Sequence, residues 1–299
     1  MRERPARPSR PHRRPPPVSA TPASVPVDAR TPRAPKTAQT AKGRVKAWLS
    51  ALQRSTPLNP YWLDLRHLQA AVQHLAPFAR GTMLDVGVGE RPYADVFAPH
   101  VERYVGVEYP PACNNLVPGI VDLITVEHGF IDVWGDGHAL PFGDASFDTL
   151  LSTEVLEHIP DPRQMLAEMY RTLKPGGRLL VTVPFTAPQH ALPHDFYRYT
   201  PQGIRALLEQ TGFVVDEVRP RGNFAISTGT LVAQWLMRTF GTRAWHHDGS
   251  VSMSKWRAPL VAPFVALAQL FFRGMGAVMK DDHLTCMGYS VVGHRPEED

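Results

Sequence analysis

Met-Leu-Asp-Val-Gly-Val-Gly-Glu-Arg-Pro-Tyr, residues 83–93, decides the fold. An apolar run ends in Asp85, and Gly87 and Gly89 follow at once. That order predicts a buried strand, a glycine turn and then a helix. Glycine lacks Cβ, so the turn can take strained dihedrals and let a ligand approach the backbone. A helix N-terminus beyond it offers unpaired N–H groups to a ligand carboxylate. The rival reading is the dinucleotide fingerprint Gly-x-Gly-x-x-Gly. Its third glycine falls on Pro92, and Asp85 stands where a pyrophosphate would be repelled. Asp-x-Gly-x-Gly suits a ligand that brings an ammonium or a hydroxyl.

Working outward, Trp62, Leu65, Leu68, Val72 and Leu75 recur at helical spacing and predict a helix over 60–76. Strands are expected at 82–86, 103–107, 129–134, 147–152, 178–183 and 213–218, with a final one at 284–292. A short helix is expected near 92–98. Another over 162–173 has Asp161 as its N-cap and Pro162 at its first position, and Lys174-Pro-Gly-Gly ends it. Thr200-Pro201 opens a further helix that stops near Gly212. Strands alternating with helices imply an α/β fold, a parallel sheet covered on both faces. Ligands of such sheets bind beyond the carboxyl ends of the strands, where the polar motifs fall.

The formal charge of +4 is unevenly spread over the 299 residues. Residues 1–46 hold twelve Lys/Arg against Glu3 and Asp28, about +10, which leaves about −6 for the rest. Ten of the 30 prolines lie in the first forty positions. Such a segment buries too little apolar surface to offset its ordering entropy, so 1–46 is expected to be a disordered basic tail. It has no apolar stretch of a secretory signal. Its charge suits an anionic membrane surface or nucleic acid. Cys113 and Cys286 show no metal-ligand spacing and fit a reduced cytosolic setting. The α/β core is expected over 47–221, a hydrophobic helical insert over 222–283, and the last core strand and tail over 284–299.

Within the insert no charge occurs from Gly222 to Met237, nor from Ala258 to Phe272. Fifteen or sixteen helical residues span roughly 22–24 Å, short of the ~30 Å hydrocarbon core. The flanking Arg238, Lys255, Trp256 and Arg257 fit helices lying in a bilayer interface. A subdomain packed on the core, or a dimer interface, is the other reading.

Glu108 closes the second strand about twenty residues after the glycine turn, where a carboxylate can accept ribose hydroxyls. Asp136 can accept from an adenine amino group. Gly137 and His138 offer backbone N–H, and Ala139 and Leu140 an apolar wall. Thr153 and Glu154 end the fourth strand. Residues 82–186 resemble the methyltransferase domain of the class I S-adenosylmethionine-dependent methyltransferases, in the type 11 (ubiquinone/menaquinone-biosynthesis-like) group. The carrying segments are LDVGVG, GVE, GDGHALPF, SFD, EVLEHI and LKPGGRLLVTVP. The resemblance implies a doubly wound, seven-stranded Rossmann-like sheet with an antiparallel last strand at 286–293. It also implies S-adenosyl-L-methionine as methyl donor, with Asp85, Gly87, Gly89, Glu108, Asp136, Gly137, His138, Thr153 and Glu154 around it. Glu90-Arg91-Pro92 departs from the small residues common after the turn, which puts the methionine end of the pocket in question.

Methyl transfer from a sulfonium is an in-line displacement that needs mainly alignment and desolvation. An oxygen nucleophile gains from a general base or a cation. Glu154, Glu157 and His158 form one candidate set, and His190, His194 and Asp195 the other. His158, His194 and Asp195 are the expected catalytic residues. Glu-x-x-Glu-His with a later His resembles the divalent-metal site of small-RNA 2′-O-methyltransferases and some quinone O-methyltransferases. That would enlist Glu154, Glu157, His158 and His194, but the same Glu-His occurs in metal-free relatives, and the favoured expectation is no metal. Tyr197, Arg198 and Tyr199 could bind an acidic or sugar-bearing acceptor, or form an aromatic lid.

The PHDFYRYT segment and the insert resemble a bacterial subgroup with cell-surface polysaccharide and lipid functions. The expectation is therefore O-methylation of a lipophilic or lipid-linked glycan, in the cytoplasm and peripheral on the inner face of the membrane. A quinone or other small molecule is the alternative acceptor. Nucleic acid is disfavoured, because no aromatic-basic recognition module is visible. Outside the class stand a nicotinamide oxidoreductase, which Pro92 and Asp85 oppose, and a non-catalytic membrane scaffold with a vestigial fold. Oligomeric state has no signature in the sequence.

Overall fold

The computed structural model describes residues 56–109, 131–246, 251–279 and 284–298. The expected disordered tail at 1–46 and Cys113 lie outside the described residues, as does the start of the expected third strand.

Strands β1 (Thr82–Val86), β2 (Arg103–Glu108), β3 (Val133–Trp134), β4 (Phe147–Thr153), β5 (Leu173–Pro184) and β6 (Val214–Arg221) are joined with α1 (Trp62–Leu75), α2 (Ala94–Phe97), α3 (Pro162–Thr172) and α4 (Pro201–Gln210). A helix α5 (Phe224–Phe240), a hairpin β7 (Thr242–Trp245) and β8 (Val251–Met253), and a long helix α6 (Arg257–Val278) follow. Strand β9 (Gly288–His294) closes the chain. The seven-stranded sheet runs β3-β2-β1-β4-β5-β9-β6. β1 through β5 pair in parallel, and β9 inserts antiparallel between β5 and β6, as the resemblance implies. From β1 the chain winds outward to β3, then returns to β4 on the other side. The crevice at the carboxyl ends of β1 and β4 is thus the switch point of the sheet.

Neighbouring residues of β1 serve opposite faces, as a strand's two-residue period requires. Leu84 belongs to the buried cluster that also holds Met165, Leu166 and Met169 of α3 and Ile204 and Leu208 of α4. Met83 packs with Leu68, Val72 and Leu75 of α1 and Phe97 of α2. Helix α3 begins as the sequence predicts, with Asp161 accepting from the Gln164 N–H at 3.3 Å and Pro162 in its first turn. It ends one residue early. Lys174 precedes Pro175, whose ring disfavours helical dihedrals there. Leu173 turns extended and pairs with Phe147, so β5 is longer than the expected 178–183. β6 likewise runs on to Arg221, carrying Pro220 at a sheet edge, where a missing N–H is tolerated.

The insert corrects one expectation. Helix α6 has 22 residues, about 33 Å at 1.5 Å each, and is long and apolar enough to cross a membrane. Counting only charge-free residues shortened it, because Arg257 and Arg273 lie within the helix. Helix α5 buries one face, through Ala225, Ile226, Gly229, Thr230, Ala233 and Met237. Its Gly229 lets α6 approach: a Cβ there would stand 2.4 Å from the Phe272 Cβ. Helix α6 buries only Val265 and Gln269. The Gln269 amide is fully engaged, accepting from the Leu63 N–H at 3.1 Å and donating to the Pro57 and Asn59 carbonyls at 2.7 Å each. It fastens the insert to the start of α1.

Candidate active site

The glycine turn after β1 is packed against the turn after β4. Gly87 has φ +81°, and a Cβ there would meet Val155 Cγ2 at 2.5 Å. Gly89 has φ +52°, yet nothing lies within 4 Å of where its Cβ would be. Both positions favour glycine by conformation. Only at Gly89 does the missing side chain leave open space, a cradle at the switch point.

Asp85 is buried at 1% exposure, and its Oδ2 accepts a hydrogen bond from the Tyr104 hydroxyl of β2. Its Oδ1 has no protein partner among the described residues. Burial pushes the carboxyl up to about 7, the Tyr104 hydrogen bond opposing, the Glu108 charge adding and Arg91 opposing. Asp85 thus lies beneath the turn, with one oxygen unsatisfied. Glu108 at the end of β2 accepts from the Gly89 N–H through Oε2 and from the Tyr109 N–H through Oε1, both at 2.9 Å. It ties the turn to the strand end where a ribose was expected.

The departure at Glu90-Arg91-Pro92 has a structural account. Arg91 adopts φ +54°, and its side chain folds back over the Tyr104 ring, 5.0 Å from the centroid, to pair with Asp132. Asp132 in turn accepts from the Gly106 N–H at 2.7 Å. Arg91 therefore braces the outer side of β2.

Asp136 accepts from both the backbone N–H of His138, at 2.9 Å, and its ring Nδ1, at 2.8 Å. The hydrogen bond to His138 lowers the Asp136 carboxyl, and the bond to Asp136 raises the His138 imidazole. This corrects the expectation for His138. Its N–H is held by an Asx-type turn and is not presented to a ligand. Gly137 lies against Met165, 3.3 Å from a built Cβ. Of the expected apolar wall, Leu140 is buried in the core while Ala139 is exposed.

Thr153 closes β4 beside Thr182. Glu154 takes φ +54°, and its Oε2 accepts from Arg221 Nη2 at 2.9 Å. Arg221, 2% exposed, also stands 3.6 Å from Asp64 of α1. Glu154 is therefore part of an ion cluster that joins α1, β4 and β6. Neither Arg221 nor Asp64 carries a motif, so sequence reasoning missed both, as it missed Tyr104.

The two histidine loops do meet. His158 Nε2 lies 3.2 Å from His190 Nε2 and 3.7 Å from Glu157 Oε1. Glu157 is fully buried, and neither of its oxygens has a hydrogen-bond partner among the described residues. Burial, then the Glu154 charge, push its carboxyl well above the usual range. Burial lowers the His158 imidazole. The other two expected catalytic residues are placed differently. The His194 carbonyl accepts from His158 Nδ1 at 2.6 Å, and its ring packs edge-on to Phe196. Asp195 is held by Arg198 through both oxygens, at 2.6 and 2.7 Å, and by the His190 N–H at 3.0 Å. Although burial opposes it, these bonds lower its carboxyl. Asp195 and Arg198 shape the loop, and Asp195 offers no free carboxylate to a proton. Tyr199 is buried and donates to the Leu156 carbonyl, whereas Tyr197 is exposed.

Residues 84–181 match a family model described as a methyltransferase domain. A Mycolicibacterium smegmatis protein named "Probable S-adenosylmethionine-dependent methyltransferase" is 30% identical over 164 residues, 52% of this chain and 61% of that protein. A Mycobacterium avium protein named "Uncharacterized methyltransferase" is 38% identical over 118 residues, 38% of this chain and 45% of that one. The chain thus spans about half the length of the curated relatives it matches. A solved S-adenosylmethionine-dependent methyltransferase of Mesorhizobium loti superposes with a TM-score of 0.43 at 15% identity, over 78% of this chain and all of that one. The chain carries, at residues 84–181, a methyltransferase domain of the class I, type 11 group.

Proposed function

We propose that this chain transfers a methyl group from S-adenosylmethionine to an oxygen of a lipophilic or lipid-linked glycan, while docked on the inner face of a membrane. The donor supplies an activated sulfonium methyl: the acceptor oxygen forms the new C–O bond as the C–S bond breaks, and sulfur keeps the electron pair. The open cradle at Gly89 and the unsatisfied Asp85 Oδ1 fit such a donor. Glu108 and Asp136 stand at the neighbouring strand ends, and the His158–His190 pair beyond β4 and β5 stands where the acceptor hydroxyl would lose its proton.

The observation that carries the acceptor class is the free face of α6. Leu260, Phe264, Leu267 and Phe271, spaced as one helical stripe, are each more than half exposed, and Trp256 at its start is 85% exposed. With Leu236 and Phe240 of α5 the four stripe residues line an apolar groove of about 840 Å³. Over the insert, 222–283, six Arg/Lys stand against Asp248, Asp281 and Asp282, a net positive charge suited to anionic lipid. The insert begins directly after Arg221, the β6 residue that reaches Glu154 at the switch-point edge. A lipid-borne acceptor would meet both surfaces.

Calorimetric titration with S-adenosylhomocysteine, followed by transfer of labelled methyl into bacterial membrane extracts, tests the reading. Micromolar binding and label in a lipid fraction are expected. Label in a quinone or other small molecule that carries no glycan would replace the acceptor class. Failure to bind the product would remove the enzyme reading.

A further inference from the structure

The loops after β4 and β5 bring three groups together with their bare atoms converging. The ligating atoms of Glu157, His158 and His190 all lie within 4.8 Å of one another. The tautomers follow from the outer contacts. His158 Nδ1 lies 2.6 Å from the His194 carbonyl, which can only accept, so Nδ1 carries the proton. His190 Nδ1 lies 3.2 Å from the Pro188 carbonyl and 3.7 Å from Asp195 Oδ2, which also only accept. The Arg198 Nη2 at 3.4 Å has better acceptors in Pro188 O and Asp195 Oδ2. In the neutral rings both Nε2 atoms therefore carry lone pairs, and these face each other at 3.2 Å.

Beside them is the carboxylate of Glu157, fully buried and without a hydrogen bond among the described residues. Buried polar atoms are ordinarily paired, and an isolated buried carboxylate is costly. Two lone pairs and an unpaired carboxylate pointing at one place call for a positive charge there. Without an ion, a proton shared by the imidazoles and a second held by Glu157 would answer these groups, whereas one metal ion answers all three at once. Ligand atoms about 2.1 Å from one ion stand roughly 3.0–3.4 Å apart in octahedral or tetrahedral geometry. Two of the three separations, 3.2 and 3.7 Å, lie close to that range, and the third is within 4.8 Å, so Glu157 and His190 would draw together around an ion. Both rings already give their outer N–H to carbonyls, the arrangement that orients metal-ligating histidines.

We propose that Glu157, His158 and His190 bind one divalent transition-metal ion of the zinc, cobalt or manganese type. Two imidazoles and one carboxylate suit these ions, and leave coordination positions open for an oxygen ligand. Magnesium, which prefers all-oxygen sites, is not the ion this set selects. The assignment differs from the expected four-residue set: His190 occupies the place expected of His194, and Glu154 is engaged by Arg221. With an ion bound, the Nε2 atoms are no longer proton acceptors. The ion itself would hold an acceptor hydroxyl and lower its pKa, so its proton could leave to solvent.

The test uses the full chain without an affinity tag, freed of metal by chelation, and titrated with Zn²⁺ and with Co²⁺ alone. One equivalent of each should bind, releasing protons, and Co²⁺ should give the visible absorption of a nitrogen-ligated site. His190→Ala and Glu157→Gln should each weaken binding by at least the ~10–100-fold that loss of an outer partner costs. The His190 side chain is 44% exposed, so that variant should fold even if the buried substitution at Glu157 does not. No stoichiometric binding, or binding that survives His190→Ala, overturns the proposal. Neither result bears on product binding at the glycine turn, so the methyl-transfer reading stands or falls separately.

Discussion

Arg221 donates to Glu154 at 2.9 Å from a position 67 residues later in the chain, and only 2% of Arg221 is exposed. The pair joins the end of β6 to the turn after β4, with Asp64 of α1 as a third member at 3.6 Å. Removing one partner of a buried ion pair leaves the others uncompensated, at a cost of about 3–5 kcal/mol. Arg221→Met should lower unfolding stability by about that amount in urea titration. Adding Glu154→Gln to it should recover part of the loss. A single-variant cost below about 1 kcal/mol would mean that solvent already screens the cluster.

Asp85 predicts a pH dependence. Burial raises its carboxyl from 3.8 to about 7, so the folded protein holds that proton more tightly than the unfolded chain. The stabilisation is complete below the unfolded value and is lost as pH rises through about 7. Asp85→Asn, which still accepts from Tyr104, should flatten this loss. Its stability relative to the parent should therefore be greater at about pH 8 than at about pH 5 in paired urea titrations. An equal difference at the two values would show that Asp85 is ionised throughout.

What the sequence revealed was local. Gly87, Gly89 and the acids at strand ends were legible because each motif is contiguous and strands alternate with helices. Asp161 was legible as a cap and Thr200-Pro201 as a helix start, because the N–H groups these side chains accept from, on Gln164 and Gly203, are three residues away. The Arg221–Glu154–Asp64 cluster was not, since nothing in a period or motif joins positions so far apart. His190 and His194 were indistinguishable by type and spacing. Only the loop path shows that one turns its ring to His158 and the other its carbonyl. Helix α6 was underestimated because arginines were read as ends, whereas long side chains can carry a charge away from an apolar stem.

The two glycines of the turn should respond differently to alanine. At Gly87 the new Cβ meets Val155 at 2.5 Å in a backbone with φ +81°, so Gly87→Ala should lower both melting temperature and product affinity. At Gly89 the Cβ enters open space, and the strain of φ +52° is the only structural penalty, about 1 kcal/mol. Gly89→Ala should therefore keep most of its stability and lose at least about tenfold in S-adenosylhomocysteine affinity by calorimetry, equivalent to 1.4 kcal/mol. Full affinity in Gly89→Ala would place the donor elsewhere.

The free face of α6 makes the last prediction. Phe264 and Leu267 are 65% and 68% exposed, so Phe264→Glu with Leu267→Glu should leave the fold and melting temperature nearly unchanged. Burying two such side chains in lipid contributes about 1.5–3 kcal/mol each, and introduced carboxylates also meet repulsion from anionic headgroups. Binding to vesicles rich in anionic lipid should fall at least about tenfold in sedimentation assays. If vesicle binding is unchanged while a dimer separates into monomers, this face joins two copies of the chain. If neither changes, attachment depends on another part of the molecule, and the basic residues of 1–46 become the segment to delete.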